Sequence, residues 1–396
     1  MRILFVSPRQ CCPPRSGAKL REYYLARALA SRAELTHVFF TPGDAGAMDA
    51  LPWKTAAVPA PRFYTPGKIA RGIFGRWPLP VVNYTSGEMQ AALGSLAAGR
   101  FDLIHLDSIH MTAYEPLLRR TGAPVVYDWH NIESEAMRRY GANASSAGRR
   151  LYAGLTAARM ANLEKQVLRE AFGHVVCSER ERAALLGVAP RARLVVVENG
   201  VDTAFFREAA AGPRGGVRNR LLFVGQMSYH ANVEAAVLFA RNVWLEVRER
   251  FPDWRLTIAG ADPAPAVLAL GGLPQVEVTG TVEDLRPLYR EAVGAIVPLR
   301  VGGGTRLKIL EAMAAGVPVV STPLGAEGLA VTPGENILIA ERDRDWLPHF
   351  ATLAEGGGPW NALAEAGRQL VEARYDWEAL GRSLYETYCG WMEGRA

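Results

Sequence analysis

Cysteine is scarce in this chain of 396 residues: Cys11, Cys12, Cys177 and Cys389 are all there is. They have neither a C-x-x-C spacing nor the density of a disulfide framework, which excludes a thiolate metal site and a disulfide-held scaffold. A reducing cytosol fits. Long apolar runs are missing too; none approaches the roughly 20 residues that a bilayer-spanning helix needs. The opening "MRILFVSP" is too short for a signal-peptide core and no small-residue cleavage site follows it, so it reads as a first buried strand. Low-complexity tracts are absent, and 49% hydrophobic against 21% charged residues describes a globular chain. Charge of one sign is in small excess only, with a formal net charge of +5, so no nucleic-acid partner is expected. The reading is a cytoplasmic protein.

Part of the positive charge is concentrated in "RFYTPGKIARGIFGRWPLP", where Arg62, Lys68, Arg71 and Arg76 alternate with Phe63, Tyr64, Phe74 and Trp77. Cations interleaved with aromatics suit an anionic membrane at the inner face of the cell, or a lipid-linked substrate. On pattern alone, a partly packed surface loop and short helix is the more frequent explanation.

The length implies two domains. Short apolar runs bounded by turn residues alternate with amphipathic helical stretches, the pattern of parallel strands linked by crossover helices, so the fold class is α/β. Strands are expected at "RILFVSP", "LTHVFFT", "FDLIHLD", "APVVYDW", "GHVVCSE" and "RLVVVEN". A second sheet is expected from "RLLFVGQ", "WRLTIAG", "VEVTGTV", "VGAIVPL", "VPVVSTP" and "ENILIAE". Helices are expected at Gly17 to Ala30, around Tyr114 to Arg120 and near Arg149 to Ala171. The boundary falls in "ENGVDTAFFREAAAGPRGGVRNR", where Asn199-Gly200 is a turn dipeptide and the rest resembles an exposed connector. At the end of the chain, Trp377, Leu380, Leu384 and Tyr388 recur at spacings that place them on one face of a helix. Two doubly wound sheets would bind ligands in a cleft at the carboxyl ends of their strands.

"PLRVGGGTRLKILEAMAAGVPVVSTPLG" sets Gly302, Gly303 and Gly304 directly before a helix-forming run. Thr305 is the expected N-cap, Arg306 to Ala315 the helix, and Gly316-Val317-Pro318 its stop. Unpaired N–H groups and about half a positive charge from the macrodipole favour an anion at such a helix start. Glycines let phosphate oxygens approach the backbone. A helical wheel puts Leu307, Leu310, Met313 and Ala314 on the buried face and Lys308 with Glu311 on another. Alone, that pair would be a surface salt bridge; beside the glycines, a cation for phosphate and a carboxylate for a ribose diol is the better reading. The run does not match a G-x-x-x-x-G-K-[ST] phosphate loop, and the first strand lacks a G-x-G-x-x-G fingerprint, so neither an NTPase nor a nicotinamide dehydrogenase is supported.

These segments, with "SPRQCCPPRSGAKLREYYLARALA", "YDWHNIESE", "VVENGVDTAFF" and "LLFVGQMSYHANVEAA", resemble the retaining glycosyltransferases of family 4, the group 1 glycosyltransferases. The resemblance covers nearly the whole chain. It implies the GT-B fold: two Rossmann-like doubly wound parallel-sheet domains facing a central cleft, an acceptor-side domain at 1–200, a donor domain at 201–375, and a C-terminal helix at 376–396 packing back toward the first. The "GGGTRLKILEAMA" and "HNIES" versions are most similar to members that build bacterial exopolysaccharides or cell-surface glycans, including those found with exosortase systems.

Carried over by position, the resemblance makes Glu311 the ribose-binding second glutamate of a motif whose first glutamate falls at Gly303, where it is absent. Backbone amides of Gly304 and Thr305 match those that meet the diphosphate, and Gly225 closes the "FVG" strand end. The family's phosphate-binding Arg is replaced by Gln226, and "HAN" (His230 to Asn232) stands at its Lys; Arg306 and Lys308 are positioned to supply the missing charge. His130 matches the histidine that reaches the donor sugar, and Gly17 the glycine loop beside the diphosphate. Lys19, Arg21 and Glu133 are candidate acceptor contacts, although helix-surface cations are the more frequent explanation of Lys19 and Arg21, and a first-turn helix charge is the alternative for Glu133.

The implied activity is transfer of a hexosyl group from a nucleotide-diphosphate sugar to a glycan or lipid-linked hydroxyl, retaining and without a metal or other cofactor. His105 and His110 have no matched metal partners in the sequence, and Asp343 to Asp345 reads as a helix start. A sugar-nucleotide epimerase on the same architecture, or a non-catalytic nucleotide-sugar binder, motivated by Gly303, are the alternatives.

Overall fold

The computed structural model describes residues 1–14, 16–42, 51–210, 218–302 and 306–394. The chain forms two compact units, Met1–Glu198 together with Leu380–Ala396, and Asn199–Ala379. The second unit runs past the expected cut at residue 375, because Val201 holds that segment: its N–H donates to Tyr375 O at 2.8 Å and its carbonyl accepts from Trp377 N at 3.2 Å.

The first unit is built on a parallel sheet of β1 (Arg2–Ser7), β2 (Glu34–Thr41), β3 (Lys54–Pro59), β4 (Leu103–Asp107), β5 (Val125–Trp129), β6 (Gly173–Val176) and β7 (Leu194–Val196). Its order is β3-β2-β1-β4-β5-β6-β7. Helices cover both faces, so the central strands are apolar throughout: Ile3, Leu4, Phe5 and Val6 are all fully buried. Strand order reverses between β1 and β4, which opens the sheet's carboxyl edge beside Ser7 and Asp107. β3 was not expected. Its sequence, KTAAVP, carries one β-branched pair among alanines, a lysine and a proline, and it pairs only with β2 at the sheet edge.

The second unit repeats the plan with β8 (Arg220–Val224), β9 (Arg255–Ala259), β10 (Val276–Gly280), β11 (Ala292–Val297), β12 (Val319–Ser321) and β13 (Leu338–Ile339). The order is β10-β9-β8-β11-β12-β13, all parallel, with the reversal between β8 and β11. The expected connector contains a helix, Thr203–Ala210.

Helix Trp377–Glu393 buries Leu384 and Tyr388 completely, while Leu380 is half-buried. Tyr388 hydroxyl bonds His105 Nδ1 at 2.7 Å, and Trp391 fills the space where Gly173 lacks a Cβ. The C-terminal segment is thus part of the first unit's core.

One interaction ties that core together. Helix Gly17–Ala30 points Arg21 inward, where Nε donates to both Asp128 oxygens at 3.1 and 2.9 Å, a terminal nitrogen donates to Oδ1 at 2.8 Å, and the other reaches Val197 O at 2.7 Å. Both side chains are buried, at 1% and 0% exposure. Burial alone would disfavour the guanidinium charge, but Asp128 more than compensates and holds it protonated. Removing one partner of such a pair strands a buried charge, whereas removing both with apolar side chains does not. Arg21→Ala is therefore expected to cost about 3 to 5 kcal/mol of stability in urea unfolding, and Arg21→Met combined with Asp128→Leu to recover most of it. A single variant that unfolds at the wild-type midpoint would contradict this role.

Candidate functional site

In the second unit, the carboxyl end of β8 runs into Gly225 and Gln226 and then helix His230–Asn242. The loop after β11 returns to the same place through Gly302, whose φ of +101° and contact with Ala231, where a Cβ would stand 2.9 Å from its methyl, both require glycine. Gly303, Gly304 and Thr305 lie outside the described residues. The following helix spans Leu307–Ala314 with Arg306 in the flanking position, shorter at both ends than expected. It stops at Ala315 and Gly316, whose φ is +66°. Ile309 joins Leu310, Met313 and Ala314 in the buried face, and Leu307 is only half-buried.

Lys308 and Glu311 are both partly buried, and no ion pair joins them among the described residues. Lys308 Nζ instead donates to Asn232 Oδ1 at 2.8 Å and lies 4.6 Å from the centroid of the Phe223 ring. Asn232 is fixed in turn by donating to Gln226 O at 2.9 Å. A Cβ on Gly225 would stand 2.9 Å from Nζ, so the glycine keeps the space beside the amine open. With no carboxylate as partner, burial pulls the Lys308 pKa down to about 7, helped by the positive charge of Arg306 and opposed by Glu311. Burial also raises Glu311 above the usual carboxylate range, against the pull of Lys308 and of the Tyr289 hydroxyl 3.4 Å from its Oε2. Arg306 differs from expectation: it is 5% exposed and donates to the carbonyls of Gly302 and Leu324 at 3.2 and 3.1 Å, so its hydrogen bonds serve the loop. Gln226 is exposed, with its amide on Ser228. Asn232, Phe223 and Tyr289 touch Lys308 or Glu311 without having been singled out in the sequence; only the placement of Asn232 in "HAN" offered a signal.

In the first unit, His130 follows β5 and its Nε2 lies 2.9 Å from Asp107 Oδ1 at the end of β4. Asp107 is fully buried. Glu133 opens helix Glu133–Ala142, and burial together with the charge of Glu164 pushes its carboxyl up to about 7. Its Oε2 is 4.0 Å from His110 Nε2. Gly17 is the exposed first residue of its helix, and Lys19 is half-buried in the same turn. Arg21 is neither a surface cation nor an acceptor contact, because Asp128 and two backbone carbonyls occupy its guanidinium. His105 also has partners that the sequence hid: it stacks on Phe5 at 4.2 Å and bonds Tyr388, and burial lowers its pKa against the pull of Asp128 and Asp107.

Among the described residues, two groups of side chains come close enough to share a cation, Glu22 with Asp107 and His130, and His105 with Asp107 and Asp128. In the second, Arg21 already neutralises Asp128. The first joins His130 to Glu22 across the sheet, a proximity that sequence separation concealed.

The two halves match two family models. Residues 16–200 match a glycosyl transferase 4-like domain, and residues 218–352 match glycosyl transferases group 1. Glycogen synthase of Mycobacterium tuberculosis is 28% identical over 267 residues, 64% of this chain; the chain spans 63% of that protein's length. A phosphatidyl-myo-inositol mannosyltransferase of Propionibacterium freudenreichii is 27% identical over 78% of this chain and 75% of its own. Anabaena HepE, solved in complex with UDP, shares the fold with a TM-score of 0.67 at 18% identity, over 98% of this chain and 100% of that one. One glycosyl transferase model thus falls on each parallel-sheet unit, and the chain has the GT-B fold.

Proposed function

We propose that the protein transfers a sugar from a nucleotide-diphosphate donor to an acceptor hydroxyl, with retention at the anomeric carbon and without a metal. The observation that carries this reading is Lys308, a partly buried amine on uncharged partners beside Gly225, one turn before Glu311. An amine left without a counter-ion is a site for an anion that arrives with the substrate, and a diphosphate brings that charge. Glu311, beside Tyr289, is assigned to the ribose, and His130 to the transferred sugar. A relative whose name gives a phosphatidylinositol acceptor, and one solved with UDP, support a lipid-linked acceptor and a nucleotide donor. Synthesis of a bacterial exopolysaccharide or surface glycan is the setting proposed for it.

A membrane contact is part of the proposal. Helix Pro66–Phe74 exposes Ile69, Ile73 and Phe74, the last at 86%, together with Arg71. Arg159 binds the carbonyls of Ile73 and Gly75 at 2.7 and 2.5 Å, which sets this helix against helix Ala147–Glu170 with its exposed Leu151, Tyr152 and Leu155. Arg62 and Arg76 flank the first of these helices in the chain, Arg149 and Arg150 lie in the first turn of the second, and all four are exposed. Lys68 is not among these cations, since its amine is buried on Asn83 O at 2.6 Å. Apolar side chains accompanied by arginines match an anionic lipid surface, each cation adding about 1 kcal/mol there.

Release of free nucleoside diphosphate in the presence of donor and acceptor is the deciding assay; an epimerase or a binding protein would release none. Lys308→Ala is expected to weaken nucleoside-diphosphate binding about tenfold or more in calorimetry, and unchanged affinity would remove Lys308 from the donor site. The sign of the pH effect follows from its lowered pKa. Above about pH 7 the free protein holds Lys308 neutral, and the diphosphate favours the ammonium form. Binding should then take up a proton at pH 8, read from calorimetry in buffers of different ionisation heat, and affinity should fall as pH rises. In the variant the uptake should vanish. For the membrane contact, co-sedimentation with phosphatidylglycerol vesicles should exceed that with phosphatidylcholine, weaken with salt, and be lost in the Ile73→Glu, Phe74→Glu double variant. Equal binding to both lipids would sink it.

A further inference from the structure

Glu22 sits beside Arg21 on the same helix and is fully buried, as is Asp107. Their carboxylates, with the His130 ring, lie within 4.8 Å of one another. Neither Glu22 oxygen finds a hydrogen-bond donor, nor does Asp107 Oδ2. Arg9 Nε is 3.0 Å from Glu22 Oε1 and draws the Glu22 pKa down in part, but this guanidinium is one-third exposed. Lys19, Cys11 and Tyr84 are the other titratable groups near Glu22; His37 and His105 face Asp107, and His110 and Glu133 face His130.

Two ionised carboxylates in contact have no hydrogen to share, and each orphaned buried oxygen is costly. One proton between them removes a charge and supplies the missing donor. It belongs on Glu22, whose carboxyl is raised well above the usual range by burial and by the charge of Asp107. Asp107, although buried, is held low by His130 and by the hydrogen bond from Glu22. An ionised Asp107 only accepts, so the His130 nitrogen 2.9 Å away must carry its hydrogen.

We propose that Glu22 is a positioning residue: as the neutral acid it donates its hydrogen to Asp107, and Asp107 holds His130 with hydrogen on Nε2, leaving Nδ1 unprotonated for the substrate. The use of Nδ1 rests on the transferase reading; the chain of hydrogen bonds does not, and it is tested without substrate. Infrared spectra of the protein at pH 7 should contain, besides the contribution of Glu133, a protonated-carboxyl stretch that shifts on 13C-glutamate labelling and is lost in Glu22→Gln. Nitrogen-15 spectra of the imidazoles should show His130 as the Nε2–H tautomer in the wild type and in Glu22→Gln, whose amide replaces the donor, and a mixture of tautomers in Glu22→Ala and Asp107→Asn. In turnover, Glu22→Ala should lower kcat about tenfold with little change in KM, and Glu22→Gln should restore it. An ionised Glu22, a wild-type His130 with hydrogen on Nδ1, or a tautomer indifferent to Glu22→Ala would each overturn the proposal. So would broadening of the His130 signals by micromolar Mn2+, which would assign the group to a cation instead.

Discussion

The buried pairing of Arg21 with Asp128 is the constraint on which the first unit's architecture depends. A guanidinium with 1% exposure needs every hydrogen answered, and here the answers come from β5 and from the chain leaving β7, 107 and 176 residues away. That requirement fixes the rotation of helix Gly17–Ala30 against the sheet. Rotation of the helix decides where the next residue points, and Glu22 is thereby turned toward Asp107. At the other end of the pair, Asp128 lies two residues before His130, so the anchor of the core and the histidine share one strand end. A weaker contact at this point would leave the histidine's surroundings free to rotate with the helix.

The second unit treats charge in the opposite way. Where Arg21 is matched by a carboxylate, Lys308 is given an amide oxygen and an aromatic face, and burial is left to work against its proton. A cation fully paired within the protein would have to break that pair to meet a phosphate. An amine on neutral partners is already prepared for one, at the cost of stability in the free protein. Nearby, Arg306 is turned to the backbone carbonyls of Gly302 and Leu324 and Gln226 to Ser228.

Much of the fold was legible because parallel strands covered on both faces must be apolar along their whole length, and twelve such runs stand out by eye between turn residues. β3 escaped because an edge strand need satisfy only one neighbour, and KTAAVP does so without the usual side chains. The candidate site was legible in Gly302 and in the helix that carries Lys308 and Glu311, and illegible where it depends on partners distant in sequence. "KLRE" has the look of a solvated helix surface; both its arginine and its glutamate are buried, for reasons that lie beyond residue 100. Lys308 and Glu311 were recognised as a pair, but not that each would turn to a different uncharged neighbour.

The outer strands have a bearing on self-association. β3 ends at Pro59 and carries Lys54 in an ion pair with Glu34, β10 carries Glu277 in an ion pair with Arg220, and β7 and β13 offer three and two residues. Short, charged or proline-ended edges are poor templates for a strand from another molecule. A chain that keeps Ile73, Phe74, Leu151 and Leu155 in solvent already carries an adhesive surface. Blunt sheet edges leave that surface as the principal route to aggregation, and a bilayer that covers it would act as a solubilising partner as well as an address.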